Sequence, residues 1–207
     1  MYIPPSFRIE DTAKLTTFMN AYSFATLVTS DSGVPFATHL PVRPFCEDDA
    51  CTMLVSHMAR ANPQWRHFSR DEEVLAIFTG PHAYISPSWY TSEKAVPTWN
   101  YAAVHVYGRP VIMDDHERVV SLLAETVDFY ERAFDRPWPN ILPAAFRDQL
   151  IHDIVAFEIQ VTRIEGKFKI GQNRSQDDTA GVYNGLSGSP DGNSRALAEL
   201  MVSEGLR

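Results

Sequence analysis

The chain has 207 residues, of which 44% are hydrophobic, and its formal net charge is -8 at pH 7. A chain of this length and composition folds as one large or two small globular domains. The acidic balance argues against a nucleic-acid-binding module, because such a module needs a concentrated basic face to displace the counterions of phosphates. No run approaches the roughly 20 apolar residues that span a bilayer, and the first residues lack the apolar centre of a signal peptide, so we expect a cytoplasmic protein with no membrane partner.

The two cysteines, Cys46 and Cys51, are separated by a turn-like stretch. Two cysteines do not make a disulfide framework, and we interpret them as reduced thiols. The seven histidines contain no pair at the spacing of a helical metal motif. The sequence therefore predicts no metal site.

The first predicted elements are a short helix and a β-hairpin. Asp11 is typical of a helix N-cap, and apolar residues recur at helical spacing from there to about residue 20. Two β-type runs, 24–29 and 35–40, are joined by the turn signal Asp31-Ser32-Gly33. Further strands are predicted at 52–56, after the turn Glu47-Asp48-Asp49, and at 73–78, 83–85 and 98–107. Six strands so close together favour an antiparallel sheet that closes into a barrel over a parallel sheet, which would need crossover helices.

In the second half of the chain, the spacing of apolar residues changes from that of strands to that of helices. Helices are predicted at 114–134, after the cap Asp114-Asp115, and at 143–153, and a returning strand at 154–164. The remainder is polar, with loop or disorder at 187–193 and a short closing helix at 194–203. We therefore expect one domain with a helical insertion.

The predicted strand 98–107 has an unusual face. Alternation places Trp99, Tyr101, His105 and Tyr107 on one side and Asn100 with small apolar residues on the other. Each of these large side chains has a polar atom that needs a partner when buried. The face is suited to a flat ligand with polar edges or to a second subunit. The alternative is a strand whose aromatic residues cap an ordinary core.

The stretch 54–68 predicts an anion site. A strand ends near Ser56, and a helix then begins with Asn62 as its N-cap and Pro63 at its first position. Free N–H groups at such a helix start attract phosphate, and Ser56, His57 and Arg60 would add donors. The alternative is a helix start that binds only water.

Two further groups have polar character without a defined role. His39 alternates with Ala37 on its strand, and a lone strand histidine is more typical of a core or interface than of a ligand site. The donors Lys169, Gln172, Asn173 and Arg174 suit a phosphate or a heteroaromatic edge, or form a solvated loop. No nucleophile elbow is present and no general acid or base stands out, so we nominate no catalytic residue.

Six stretches together resemble the PaiB family, described as FMN-binding negative transcriptional regulators. They are MYIPPSF at 1–7, ATHLPV at 37–42, SHMARANPQW at 56–65, FTGPHAYISPSWY at 78–90, VPTWNYAAVHVYG at 96–108 and FKIGQNRS at 168–175. They occur in the same order and at similar spacing as in the family. The resemblance covers roughly residues 1–176.

The resemblance implies an α+β fold that is mainly β: the six-stranded antiparallel Greek-key split β-barrel of the FMN-binding type, shared with pyridoxamine phosphate oxidases and flavin reductases. This domain would occupy 1–176, with a helical insertion at about 114–153, and 177–207 would be a polar tail with a short helix. Proteins of this fold are usually homodimers with two flavin sites in the interface.

The resemblance also implies a set of FMN-binding residues. Ser56, His57, Asn62 and Arg60 would hold the phosphate, and Thr38 and His39 would reach the phosphate or the ribityl chain. Trp99 would line the interface and the flavin edge, and Asn100 would bond the ring or the ribityl group. The donors that we place across the dimer interface are Lys169, Gln172, Asn173 and Arg174.

The resemblance implies an FMN-binding homodimer that acts as a negative transcriptional regulator. Direct DNA binding has no support from charge or from a helix-turn-helix signature. The alternative is an FMN-dependent oxidoreductase, similar to flavin reductases or pyridoxamine phosphate oxidases, in which the cofactor supplies the chemistry. A third hypothesis is a haem-binding or haem-degrading protein with His39, His57 or His105 as a ligand.

Overall fold

The structure is a computed structural model that describes residues 1–47, 50–69, 72–139 and 141–207. Its strands are β1 (Arg8–Ile9), β2 (Phe24–Asp31), β3 (Val34–Pro41), β4 (Arg43–Glu47), β5 (Ala50–Ala59), β6 (Val74–Ile85), β7 (Thr98–Ile112) and β8 (Ile154–Lys169). Its α-helices are α1 (Thr12–Ala21), α2 (His116–Glu131), α3 (Ala144–His152), α4 (Gln176–Ser187) and α5 (Gly192–Ser203). Short 3-10 helices cover Pro5–Phe7, Pro63–Ser69 and Pro87–Trp89.

The strands form one sheet in the order β3-β2-β6-β7-β8-β5-β4, and β1 pairs with β8. The pairs β1–β8, β2–β3, β2–β6, β4–β5 and β5–β8 are all antiparallel. The predicted class, an antiparallel sheet with helices, is confirmed. The described residues contain eight strands where six were expected, because β1 and β4 had no clear signal in the sequence. Part of the predicted turn before β5, Asp48-Asp49, lies outside the described residues.

The runs predicted at 73–78 and 83–85 are one continuous strand, β6. The sequence suggested a break because Gly80 and Pro81 interrupt the run. The register of β6 with β2 extends only from Leu75 to Ile77. The missing N–H of Pro81 therefore falls beyond the pairs that β6 makes with β2.

The chain divides into two compact units, each built from separate segments. The first unit contains residues 1–18, 78–105 and 165–207, and the second contains residues 19–77 and 106–164. The strands β6, β7 and β8 each contribute residues to both units. Each unit is described below by itself.

The first unit has a core in which α4 and α5 take a large part. Val182 and Leu186 of α4 and Leu197 and Met201 of α5 are buried together with Ile85 and Ile170. The residues expected to form a polar tail therefore include two amphipathic helices. The closing helix α5 was predicted, whereas α4 was not.

The second unit contains the β2–β3 hairpin and the inserted helices α2 and α3. The hairpin turn consists of Ser32 and Gly33, whose φ values of +53° and +84° are those of the two-residue turns that match strand twist. The inserted helices lie between β7 and β8 in the chain, as predicted. Val119 and Leu122 of α2 pack against Met113 and Ala156. Within the described residues, no helix is both long enough and apolar enough to cross a membrane.

Candidate functional site

The twelve residues predicted to bind FMN fall into two groups of six. Thr38, His39, Ser56, His57, Arg60 and Asn62 lie in the second unit, and Trp99, Asn100, Lys169, Gln172, Asn173 and Arg174 lie in the first.

In the second unit, Ser56 and His57 lie on opposite faces of β5. The strand continues to Ala59, beyond the end that was predicted near Ser56. Successive side chains at positions 56 and 57 therefore still point to opposite faces of the sheet. Ser56 is 4% exposed, and its Oγ donates a hydrogen bond to the carbonyl oxygen of Pro41 at 2.7 Å. His57 instead lines a cavity beneath α2 and α3, and burial lowers the pKa of its imidazole. One phosphate group therefore does not meet both side chains.

Asn62 and Thr38 are brought together as the prediction requires. Asn62 Nδ2 donates to Thr38 Oγ1 at 3.0 Å, and Asn62 Oδ1 accepts from the backbone N–H of Gln64 at 3.0 Å. The predicted cap is thus confirmed. The element that it caps, Pro63–Ser69, is a short 3-10 helix and not an α-helix. It has too few aligned peptides for a large dipole, so side chains must supply most of any anion binding.

Gln64 was missed by the sequence reasoning and lies beside this pair. It is fully buried, and its Nε2 donates to the carbonyl oxygens of Leu27 and Phe36 and to Thr29 Oγ1, at 3.0, 3.2 and 3.2 Å. Its Oε1 has no hydrogen-bond partner among the described residues. Nothing in the local sequence distinguishes this glutamine from a surface one.

His39 and Arg60 already have protein partners. His39 is exposed, and its Nδ1 lies 3.0 Å from Thr26 Oγ1. Arg60 donates from Nε to the carbonyl oxygen of His152 and from Nη2 to that of Ile154, both at 2.6 Å. These bonds connect the end of β5 to the start of β8, which gives Arg60 a structural function.

In the first unit, the predicted two-sided character of β7 is confirmed. Trp99 is 55% exposed and lies beside the exposed Tyr84, with ring centroids 6.2 Å apart, and beside His82 at 6.4 Å. Asn100 points to the other side and is only 3% exposed. The three exposed rings of His82, Tyr84 and Trp99 are called the aromatic surface below.

Asn100 is the most informative residue of this group. The described residues supply no hydrogen-bond partner to its amide, although almost the whole residue is buried. Gly171, which has a φ of +97°, lies close by, and a Cβ built on it would be 3.9 Å from Asn100 Nδ2. The Asn100 amide thus offers a donor and an acceptor to a ligand at this position.

The late donors have different roles. Lys169 donates from Nζ to Thr98 Oγ1 and, at 2.8 Å, to the carbonyl oxygen of Trp99. Burial lowers the pKa of Lys169, and the charges of Lys167 and Arg174 lower it further. Lys167, which the prediction did not include, is buried, and its Nζ donates to the carbonyl oxygen of Tyr2 at 3.1 Å.

Gln172, Asn173 and Arg174 form the turn after β8. Gln172 Oε1 accepts from the N–H of Ile170 at 2.9 Å, and Gln172 Nε2 donates to the carbonyl oxygen of Phe168 at 2.5 Å. The guanidinium of Arg174 lies 4.6 Å from the centroid of the Tyr90 ring. Asn173 is exposed. Thus Gln172 stabilises the turn with both ends of its amide, and Arg174 stacks on an aromatic ring.

The donors and acceptors present fit FMN. In the first unit, Asn100 offers the amide of a 3% exposed residue, and Lys169 is a cation with donors for an electron-rich atom. In the second unit, Gln64 Oε1 is a buried acceptor without a partner among the described residues. Flavin rings have polar edges, ribityl chains have hydroxyl donors, and phosphates are acceptors. The set therefore matches the kinds of atom that FMN presents.

The antiparallel sheet with these helices is a fold that flavin-binding proteins of known structure share. Solved structures of similar fold include the FAD and haem binding protein from Mycobacterium smegmatis, with a TM-score of 0.60 and 13% identity over 84% of this chain and 78% of that chain. Another is the flavocytochrome Anf3 from Azotobacter vinelandii, with a TM-score of 0.58 and 15% identity over 77% of this chain and 67% of that chain. At these identities the likeness concerns the fold alone.

Residues 1–163 match the family model described as "Putative FMN-binding domain", and the chain belongs to this family, whose cofactor is FMN. The chain is also 40% identical over 203 residues to a Bacillus subtilis (strain 168) protein, "Protease synthase and sporulation protein PAI 2". That match covers 97% of this chain and 96% of the relative. The expected resemblance to the PaiB family, the FMN cofactor and the fold class are thereby confirmed.

Proposed function

We propose that the protein is a homodimer that binds FMN and acts as a negative transcriptional regulator of the PaiB type. The observation that carries the flavin part is Asn100, a 3% exposed residue whose amide makes no hydrogen bond to the described residues and is open to a ligand. The regulatory part is supported by the similarity over nearly the whole chain to a relative named for sporulation and protease synthesis.

Two sets of side chains are proposed to hold FMN. Thr38 and Asn62 supply a hydroxyl and an amide for the phosphate, and His39 reaches the phosphate or the ribityl chain. Ser56 joins them when its hydroxyl turns from the Pro41 carbonyl oxygen to the phosphate. Asn100 bonds a polar atom of the ring or of the ribityl chain, and Trp99 contributes at the edge of the flavin. Lys169, Gln172, Asn173 and Arg174 belong to the proposal as donors across the dimer interface. When bound, FMN supplies a ring that accepts and donates electrons.

His57 and Arg60 are left out of the proposed phosphate site. Two N–H groups of the Arg60 guanidinium donate to the backbone carbonyl oxygens of His152 and Ile154, which directs the side chain towards the start of β8. His57 lies on the face of β5 that the inserted helices cover. Both residues remain testable as ligands by substitution.

The homodimer is supported by the aromatic surface of the first unit. Trp99 and Tyr84 are 55% and 49% exposed, and neighbouring exposed aromatic residues are characteristic of interaction sites. A cytoplasmic location is part of the proposal and is supported by Cys46 and Cys51. These residues are direct cross-strand neighbours of β4 and β5, and neither is joined in a disulfide.

The first experiment is the visible absorption spectrum of the purified protein, before and after FMN is added and the mixture is passed over a gel-filtration column. We expect flavin bands that travel with the protein, and light scattering that gives the mass of a dimer. Failure of the protein to retain any flavin would contradict the cofactor assignment, and a flavin-bound monomer would contradict the dimer.

A second pair of assays separates regulation from catalysis. Salt-dependent retardation of promoter DNA on a gel would assign the regulation to direct DNA contact. With a net charge of -8, we expect regulation without tight DNA binding. FMN-dependent oxidation of NAD(P)H at enzymatic turnover rates would instead favour the alternative, an FMN-dependent oxidoreductase.

A further inference from the structure

A cavity of about 410 Å³ lies in the second unit beneath α2 and α3. Small-molecule sites in proteins typically have volumes of about 300–1,000 Å³ and mostly apolar walls. Nine of the eleven side chains that line this cavity are apolar, and the other two belong to His57 and Arg147. The size and the lining are therefore those of a ligand site.

Both inserted helices present an apolar face to this cavity. From α2 these are Val120, Leu123, Ala124 and Val127, which recur at the i, i+3, i+4, i+7 spacing of one helix face. The core contacts of α2 are made mainly by other residues, Val119 and Leu122. The helix α2 thus has two apolar stripes. One packs in the core of the second unit, and the other faces the cavity.

The core contact of the helix α3 comes from Ile151, which is only partly buried and packs against the cluster of Met113, Val119, Leu122 and Ala156. None of its residues is buried. Leu150, which lines the cavity, is 44% exposed, and so is Trp138, in the segment that precedes α3. Short helices depend on packing of their apolar face more than on intrinsic propensity. A hydrocarbon body in the cavity would supply that packing.

The two polar side chains that line the cavity, His57 and Arg147, are suited to bind the polar end of a ligand. Arg147 donates from Nε and Nη2 to Asp148 Oδ1 at 3.2 and 3.1 Å, and the described residues supply no acceptor to its Nη1. The imidazole of His57 likewise has no hydrogen-bond partner among the described residues. No carboxylate lines the cavity. The cavity therefore offers N–H donors from both side chains, and the positive charge of Arg147 is paired with Asp148, which does not line the cavity.

We propose that this cavity binds a small amphipathic carboxylate, whose hydrocarbon body lies between α2 and α3 and whose carboxylate accepts hydrogen bonds from Arg147 and His57. Such a ligand would serve as an effector, because it stabilises the inserted helices and shares no proposed contact with FMN. The inference does not depend on the proposed flavin site.

The test uses the full chain and octanoate as the probe, in isothermal titration calorimetry at neutral pH. Octanol, which lacks the carboxylate, and butyrate, which lacks most of the hydrocarbon, are the comparison compounds. We expect saturable binding of one octanoate per chain and at least roughly tenfold weaker binding of both comparison compounds, since each lacks one half of the recognised chemistry. Equal binding of octanol and octanoate would overturn the carboxylate assignment.

Three variants locate the binding. Arg147→Gln should weaken octanoate binding by roughly tenfold, the scale of one lost charge-assisted hydrogen bond, whereas Arg132→Gln, an exposed arginine just after α2, should leave it unchanged. Ala124→Leu should fill part of the cavity and weaken binding, and Leu123→Trp should abolish it. Unchanged binding in a folded Ala124→Leu protein would overturn the site.

Two further measurements distinguish a ligand site from a subunit contact. Hydrogen exchange should show octanoate-dependent protection of α2 and α3, and FMN titrations on the same variants should match the wild-type protein. If octanoate does not bind, and Ala124→Leu or Leu123→Trp changes the oligomeric state, the apolar faces form a subunit contact and the proposal is wrong.

Discussion

Gly181 of α4 lies directly against the backbone of Trp89. A Cβ on residue 181 would be 1.9 Å from the carbonyl oxygen of Trp89, a separation that no side chain tolerates. One turn later, a Cβ on Gly185 would lie 2.4 Å from the indole ring of the same tryptophan. The two glycines thus form the surface of α4 on which Trp89 packs. The close contact requires glycine at both positions, although glycine is a poor helix former.

Gly181→Ala should therefore destabilise the protein, although alanine is normally the better helix former. We expect a loss of about 1–3 kcal/mol in the free energy of unfolding, the usual cost of overpacking, measured by urea denaturation. Gly192→Ala is the matched control, because a Cβ at this first residue of α5 meets no atom within 4 Å. Equal stability of both variants would contradict the proposed packing.

The carboxylate of Asp178 predicts a specific acid sensitivity. It accepts four hydrogen bonds: from the N–H and Oγ1 of Thr91, at 2.9 Å each, and from the N–H and Oγ of Ser92, at 3.1 and 2.6 Å. The bond from the Ser92 hydroxyl is the main reason that the pKa of Asp178 falls from 3.8 to about 2. Because the pKa is lower in the folded state, the stabilisation is complete above 3.8 and is lost as the pH falls through about 2.

Asp178→Asn should accordingly lower the midpoint of thermal unfolding at neutral pH. The difference from the wild-type protein should shrink as the pH is lowered from 3.8 towards about 2, where the wild-type carboxylate is itself protonated. Asp177→Asn, one residue earlier and exposed, is the control and should follow the wild-type curve. A difference that is independent of pH would show that Asp178 contributes no linked proton.

Asn100→Ala tests the flavin site in the first unit. Loss of a buried hydrogen-bonding amide should weaken FMN affinity by about 1–3 kcal/mol, measured by quenching of flavin fluorescence. Asn184→Ala, an exposed asparagine of α4, should bind FMN as the wild-type protein does. An Asn100→Ala protein that keeps full affinity would remove Asn100 from the site.

Arg60→Gln separates a ligand from a structural residue. Its bonds to the carbonyl oxygens of His152 and Ile154 predict a loss of stability of about 1–3 kcal/mol and little change in FMN affinity. Ser56→Ala should show the reverse pattern, with FMN affinity lowered by about 1–3 kcal/mol. If Arg60→Gln loses FMN affinity at unchanged stability, Arg60 is a phosphate ligand after all.

The local signals in the sequence predicted most elements well. N-caps identified three starts correctly: Asp11 Oδ1 accepts from the N–H of Lys14, Asp115 Oδ1 from that of Arg118, and Asn62 Oδ1 from that of Gln64. Alternation assigned the two faces of β7 correctly, because the period of a strand follows from backbone geometry alone. These features depend on residues within a few positions of one another.

The elements that were missed depend on distant contacts. The glycines of α4 are more typical of a loop than of a helix. Their place in a helix follows from Trp89, about ninety residues earlier in the chain, which packs on them. Within the site, the prediction paired Asn62 with the strand of Thr38 but could not reveal the acceptors of Arg60, which are 92 and 94 residues away in the chain. The sequence also did not reveal that β5 continues to Ala59. Because it does, Ser56 and His57 face opposite sides of the sheet.

The arrangement of the two units affects where the chain can be shortened. The family match ends at residue 163, whereas the first unit takes residues 165–207 as one of its three segments. A protein truncated after the family boundary would lose Val182, Leu186, Leu197 and Met201, and Ile85 would be left without these neighbours. The boundary of the family model is therefore not a boundary of autonomous folding. Libraries of shortened variants or fusions should keep the last forty or so residues, since without them the chain would expose a hydrophobic surface that chaperones and proteases recognise.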